Sequence, residues 1–233
     1  MPFQNIKHIF FDLDHTIWDF EKNSKQTLIE IIERRKLKDK YGFSGVEFYN
    51  IYKDINEYYW TLYRQNKISK EELRVNRFYD ALMTFDVDNL ELASEMTEEY
   101  IEHSPLKTNL FPNAISTLEY LSDKYELHII TNGFDEVQYR KLSASKLDVY
   151  FKEIITSETV GVKKPDQLIF NYSLDVAKAK AHDSLMIGDS YEADILGAIN
   201  ANMRAVYFNP NTDVNSFNDI KQIKDLHELT KIL

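Results

Sequence analysis

Two aspartates stand two residues apart at the end of a short apolar run, Ile9-Phe10-Phe11-Asp12-Leu13-Asp14. A continuous apolar run of this length, rich in β-branched and aromatic residues, reads as a strand buried on both faces. Side chains at i and i+2 of a strand point to the same side. The run therefore delivers two carboxylates to one place at the edge of a hydrophobic layer. Such a pair repels itself and resists burial unless something compensates. A divalent cation or a proton used in chemistry is the usual compensation.

The rest of the chain narrows the setting. With 233 residues it is long enough for one large domain, or one domain carrying an insert. Its net charge of -10 argues against a nucleic-acid partner, which needs a basic face. A small phosphorylated ligand needs only a few local donors and stays open. Without cysteine there is no disulfide, thiolate metal site or thiol nucleophile. No apolar run approaches the roughly 18–20 residues that span a bilayer. Asp12 and Asp14 interrupt the apolar stretch nearest the start, so no signal peptide is expected. A cytoplasmic protein with no membrane partner is the expectation.

The texture of the sequence changes along its length. Residues 6–12 read as the buried strand. Residues 20–104 then read as helices: Glu21 to Lys38, Val46 to Tyr63, a third opened by the capping box of Ser69 and Glu72, and Leu90 to His103. From about residue 107, strand candidates alternate with helices. The strands are 127–131, 153–156, 184–188 and 205–208; the helices lie near 112–124, 134–147, 165–179 and 191–201. That alternation implies βαβ units and a parallel sheet. The expected architecture is a doubly wound α/β core, Rossmann-like, formed by residues 1–17 and 106–233. An all-helical module, residues 18–105, is inserted after the first strand.

In an open parallel sheet, ligands bind outside the carboxyl ends of the strands. The first strand delivers Asp12 and Asp14 there, and the second Thr131-Asn132-Gly133. The third leads to Lys163-Lys164-Pro165, and the fourth delivers Gly188-Asp189-Ser190 with Asp194 beyond it. Acids, a hydroxyl with an amide, a lysine, and acids again suit phosphoryl transfer. Carboxylates such as Asp12 and Asp189 suit Mg2+. Thr131 and a lysine supply donors for phosphoryl oxygens. A carboxylate can act as nucleophile, and a second acid can protonate the leaving oxygen.

Asp12-x-Asp14-x-Thr16, Thr131-Asn132, Lys164-Pro165 and Gly188-Asp189-Ser190-x-x-x-Asp194, in that order, resemble the four motifs of the haloacid dehalogenase superfamily. The helical insert stands where class I members carry their cap. The resemblance implies roles by position. Asp12 would be the nucleophile and a magnesium ligand. Asp14 would be the general acid and base, and would ligate Mg2+ through its backbone carbonyl. Thr131, Asn132 and Lys164 would hold the phosphoryl group, and Asp189 would complete the metal site. Asp194 would orient Lys164 or support the metal ligands from behind. The cap would close over the site and select the leaving group. An acid at position 14 favours phosphatase or phosphomutase chemistry over dehalogenation.

A narrower resemblance follows. Trp18-Asp19-Phe20, Thr131-Asn132-Gly133-Phe134, Val137-Gln138, Lys141-Leu142, Tyr150-Phe151 and Ser157-Glu158-x-Val160-Gly161 look similar to the pyrimidine 5′-nucleotidase branch. The N-acylneuraminate 9-phosphatases share part of this pattern. The expected partner is thus a small phosphorylated metabolite, a nucleoside monophosphate first. A sugar-phosphate phosphatase, an N-acylneuraminate 9-phosphate phosphatase, a phosphomutase and a non-catalytic phospholigand-binding protein are the alternatives. His15 departs from the pattern, since many members of the superfamily carry Gly or an acid there.

Plainer readings stand beside these. Asp12 and Asp14 alone could form a strand-end turn. Thr131-Asn132-Gly133 alone reads as a turn, and Lys163 and Lys164 alone as surface charges. Lys164 is preferred to Lys163 on motif spacing only. Ser190 reads as a helix cap. The six histidines show no metal-ligand spacing and read as structural or surface residues. The aromatic run from Phe48 to Tyr63 has helical spacing and reads as packing within the helical module.

Overall fold

The computed structural model describes residues 3–210 and 220–233, which form two compact units: Met1–Phe20 with Thr108–Leu233, and Glu21–Lys107. The first unit is built on β1 (His8–Phe11). The helices α1 (Phe20–Arg34), α2 (Leu37–Tyr41), α3 (Gly45–Arg64), α4 (Lys70–Met83) and α5 (Leu90–His103) follow. The chain then returns through α6 (Ala114–Ser122), β2 (Glu126–Thr131), α7 (Asp135–Ala144), β3 (Phe151–Thr156), α8 (Ser157–Val160) and α9 (Gln167–Val176). After β4 (Ser184–Gly188) come a π-helix (Tyr191–Leu196), α10 (Gly197–Asn200), β5 (Arg204–Phe208), β6 (Lys221–Ile223) and α11 (Leu229–Ile232).

The six strands form one parallel sheet in the order β3-β2-β1-β4-β5-β6. The core is therefore doubly wound, as expected. Alternate residues feed two apolar layers. Ile9, Phe11, Ile129, Leu185 and Ile187 pack with Leu118 and Leu121 of α6 and Leu142 of α7. Phe10, Ile130 and Met186 face the other way, onto Ile169 and Phe170 of α9 and Ala198 of α10. Each buried side chain of this size is worth about 1.5–3 kcal/mol. A one-residue slip would exchange the two layers, so packing fixes the register. The strand order reverses between β1 and β4, and the crevice at such a reversal is where ligands bind. In-register pairing of Phe11 with Ile129 and with Ile187 places the last turns of β2 and β4 on either side of Asp12.

The helical unit has its own core. Leu28, Ile31, Phe48, Tyr52, Phe78, Leu82, Met96 and Tyr100 are buried together. Reciprocal capping boxes, Ser44 with Glu47 and Ser69 with Glu72, start α3 and α4. Phe48 and Tyr52 pack inward as the helical spacing predicts, whereas Tyr58 is exposed. Arg77 is buried too. Its Nη1 donates to Asn56 Oδ1 (2.7 Å), and its guanidinium lies 5.2–5.7 Å from the rings of Tyr52, Phe78 and Tyr100. No helix among the described residues is long and apolar enough to cross a membrane.

Candidate active site

Lys164 is the centre of the carboxyl edge of the sheet. Its side chain is 2% exposed, and its ammonium lies 2.6 Å from each of Asp12 Oδ1, Asp194 Oδ1 and the Ile130 carbonyl. The ammonium donates to Asp12 Oδ1 and to the Ile130 carbonyl, and Asp194 Oδ1 faces it as an ion pair. The Asn132 side chain fixes the backbone of the same residue: Nδ2 donates to Lys164 O (3.0 Å), and Oδ1 accepts from Lys164 N (2.8 Å). Both ends of the Asn132 amide are thus engaged with Lys164. The Lys164–Pro165 peptide bond is cis.

Asp12, Asp189 and Asp194 each place a carboxylate oxygen within 4.8 Å of the others. Asp189 Oδ1 accepts from Thr16 Oγ1 (3.2 Å), and Asp194 Oδ2 accepts from Ser190 N (3.0 Å). Ser190 is the cap that its position predicted, accepting from Ala193 N (3.2 Å). Gly188 makes the close approach of Asp194 possible: a Cβ there would lie 2.2 Å from Asp194 Oδ2.

Two buried acids, Asp12 and Asp194, share one ammonium, with the half-buried Asp189 beside them. Burial pushes Asp12 well above the usual carboxylate range; Lys164 pulls it down, while Asp194 and Asp189 push it up again. Burial and the neighbouring Asp194 push Asp189 up to about 7. Burial alone would lower Lys164, but Asp12 and Asp194 outweigh it and hold it raised. An all-oxygen donor set with too little positive charge fits a hard divalent cation such as Mg2+. Asp12, Asp189 and Asp194 offer it oxygens, and Asp194 Oδ2 is already held by Ser190 N.

Asp14 lies apart from that cluster, at the end of the same loop. Its Oδ1 is 2.5 Å from Lys141 Nζ, and its Oδ2 accepts from Gln138 Nε2 (2.9 Å). Gln138 Nε2 also donates to Thr131 Oγ1 (2.7 Å), which accepts from Gly133 N as well (3.1 Å). Thr131 is an acceptor in both contacts, so its O–H hydrogen can go to an incoming oxygen. Gly133 leaves room for this arrangement, since a Cβ there would stand 2.2 Å from Gln138 Nε2.

The structure brings Asp12, Lys164, Asp189 and Asp194 into one cluster, and joins Asp14 to Thr131 through Gln138. In the sequence, Gln138 and Lys141 only mark a resemblance. Their signal was present: they are three apart on α7, directly after the polar end of β2, and so share a helix face. His15, the departure from the family pattern, has φ 61°, a backbone region where glycine sits without strain. Its N–H donates to Trp18 O (3.0 Å), and its ring lies 4.8 Å from that of Phe20.

Two histidines meet despite their separation in sequence. At the opposite end of β1 and β2, His8 Nδ1 and His128 Nε2 are 3.3 Å apart, with Glu126 3.8 Å from His8. Burial, and then the nearby His8 and Lys152, lower His128 to about 4.

The model of the haloacid dehalogenase-like hydrolase family matches residues 9–208. The chain is 29% identical to the pyrimidine 5′-nucleotidase YjjG of Escherichia coli, over 97% of this chain and 96% of that protein. It is 28% identical to the pyrimidine 5′-nucleotidase PynA of Streptococcus pneumoniae, over 97% and 98% of the two chains. Among solved structures, the magnesium-bound putative hydrolase YfnB of Bacillus subtilis superposes with a TM-score of 0.87 at 27% identity, covering 99% of both chains.

Proposed function

The chain belongs to the haloacid dehalogenase-like hydrolase family, and we propose that it is a magnesium-dependent phosphomonoesterase working through an aspartyl phosphate. Nucleoside 5′-monophosphates, pyrimidine ones first, are the proposed substrates. The observation that carries this reading is the union of Asp12 and Lys164 across the sheet, with Asp189 and Asp194 closing the cluster. The pyrimidine 5′-nucleotidases among the relatives support the substrate class.

In the proposed cycle Asp12 attacks phosphorus, the bond to the leaving oxygen breaks, and Asp14 gives that oxygen its proton. Asp14 then takes a proton from water as the water oxygen attacks phosphorus. Inorganic phosphate leaves, and the Asp12 carboxylate is restored. Lys164 holds Asp12 in place and adds positive charge beside the transferring group. Thr131 supplies its O–H to a phosphoryl oxygen, and Asn132 adds its backbone N–H. Asp12 and Asp189, with the Asp14 carbonyl, would hold a magnesium ion, which would supply charge neutralisation for the phosphoryl oxygens. We assign choice of leaving group to the helical unit, Glu21–Lys107, acting as a cap.

The test is magnesium-dependent phosphate release from a panel: UMP, dUMP and dTMP against purine nucleotides, hexose phosphates and N-acylneuraminate 9-phosphate. Fastest release from the pyrimidine nucleotides is expected. Preference for a sugar phosphate would overturn the substrate class and keep the chemistry. No release from any member by folded, magnesium-loaded protein would overturn the phosphomonoesterase reading.

A further inference from the structure

We infer that Lys141 and Gln138 form a two-point clamp that positions the Asp14 carboxyl group for proton transfer to the leaving oxygen. The inference rests on the role proposed above for Asp14. One donor meets each carboxyl oxygen: Lys141 Nζ lies 2.5 Å from Oδ1, and Gln138 Nε2 2.9 Å from Oδ2. A carboxyl group held at one oxygen can rotate about its terminal torsion, which is broad. Donors on both oxygens fix its plane. The clamp takes one lone pair from each oxygen and leaves another for the proton being moved. The Asp14 side chain is 22% exposed, so its unclamped side can meet a ligand.

The clamp is itself anchored. Gln138 is fully buried, and the amide that holds Asp14 also holds Thr131 (2.7 Å). One side-chain nitrogen therefore ties the acid after β1 to the hydroxyl at the end of β2. Lys141 is 4% exposed, with its ammonium 4.4 Å from the Trp18 ring centre and 5.7 Å from that of Phe20. A buried ammonium is costly to desolvate. Here a carboxylate and two aromatic faces compensate it and restrict where it can sit. Trp18 has no exposure, and its carbonyl accepts from His15 N, so the aromatic wall is part of the loop that carries Asp14. Trp18-x-Phe20 and Gln138-x-x-Lys141, far apart in sequence, thus make one device.

A positioning role predicts a dependence on the leaving group that a merely structural ion pair does not. An alkoxide needs the proton of Asp14 to depart, whereas p-nitrophenolate departs without it. The measurement is kcat/KM, which reports the steps up to departure. The two substrates are p-nitrophenyl phosphate and the fastest alkyl phosphomonoester of the panel above. Asp14→Asn sets the signature, with a loss of about 10²–10⁴-fold on the alkyl ester and a smaller loss on the aryl ester. Lys141→Met is expected to lower the alkyl-to-aryl ratio of kcat/KM by about tenfold or more. Gln138→Leu should move it the same way by less, and it carries the test if Lys141→Met does not fold. Equal losses on both substrates, or no loss, in folded clamp variants would overturn the inference while the Asp14→Asn signature leaves the parent reading intact. A wild type inactive on both substrates, or an Asp14→Asn variant without the signature, would overturn both.

Discussion

Lys164 Nζ donates to Asp12 Oδ1 at 2.6 Å although 152 residues separate them in the chain. Lys164 is also the ammonium shared by Asp12 and Asp194, with Asp189 alongside. Removing one partner from a buried ionic group typically costs about 3–5 kcal/mol, because the remaining charge is left uncompensated. Lys164→Met should lower the stability of metal-free protein by an amount of that order, measured by urea unfolding. Added Mg2+ should restore part of the loss, since it too neutralises the acids. A variant as stable as wild type without metal would contradict this account of the cluster.

Gly188 is required by Asp194 rather than by its own backbone conformation. A methyl group at position 188 would overlap the Asp194 carboxylate at 2.2 Å. Gly188→Ala should therefore cost about 1–3 kcal/mol, the usual range for overpacking. It should also cut turnover, because Asp194 can yield only by loosening its hold on Lys164. Unchanged stability and activity would show that the carboxylate moves freely.

His128 makes a prediction about acid. Its folded value is lowered to about 4, mainly by burial, against 6.5 for an ordinary imidazole. Between those limits the unfolded chain binds the proton and the folded chain does not. The contribution of His128 is thus fully present above about pH 6.5 and is lost as the pH falls toward 4. The limit set by that shift is roughly 3 kcal/mol. The stability difference between wild type and His128→Phe should fall over this window, as read from urea unfolding at several pH values. A difference independent of pH from 7 to 4 would contradict it.

The sequence made the parallel core readable because its strands are short apolar runs with polar residues at their carboxyl ends. Ser184–Gly188, buried at all five positions, is the plainest of them. β6 went unread because it is a three-residue edge strand, Lys-Gln-Ile, with one buried side chain. The charged residues after the first helix carry no local stop signal, so its pattern runs on to Lys38. In the structure it ends at Arg34, and Lys36 turns with φ 52° before α2 begins. The stretch read as a helix at 191–201 is helical, opening as a π-helix that carries Asp194 and continuing as α10. Motif acids could be nominated from strand ends alone. The partners of Asp14 could not, because a helical Gln and Lys become site residues only when α7 is laid against the loop after β1. The meeting of His8 and His128 was hidden for the same reason, since strand register and not sequence spacing brings them together.

The most direct test of the central claim is to trap the covalent intermediate. Protein mixed with labelled substrate and Mg2+ is quenched in acid within a turnover, and the labelled peptide is identified by mass. A hydroxylamine-labile phosphoryl group is expected on Asp12, with no label and no turnover in a folded Asp12→Asn variant. Full activity in Asp12→Asn would contradict the central claim.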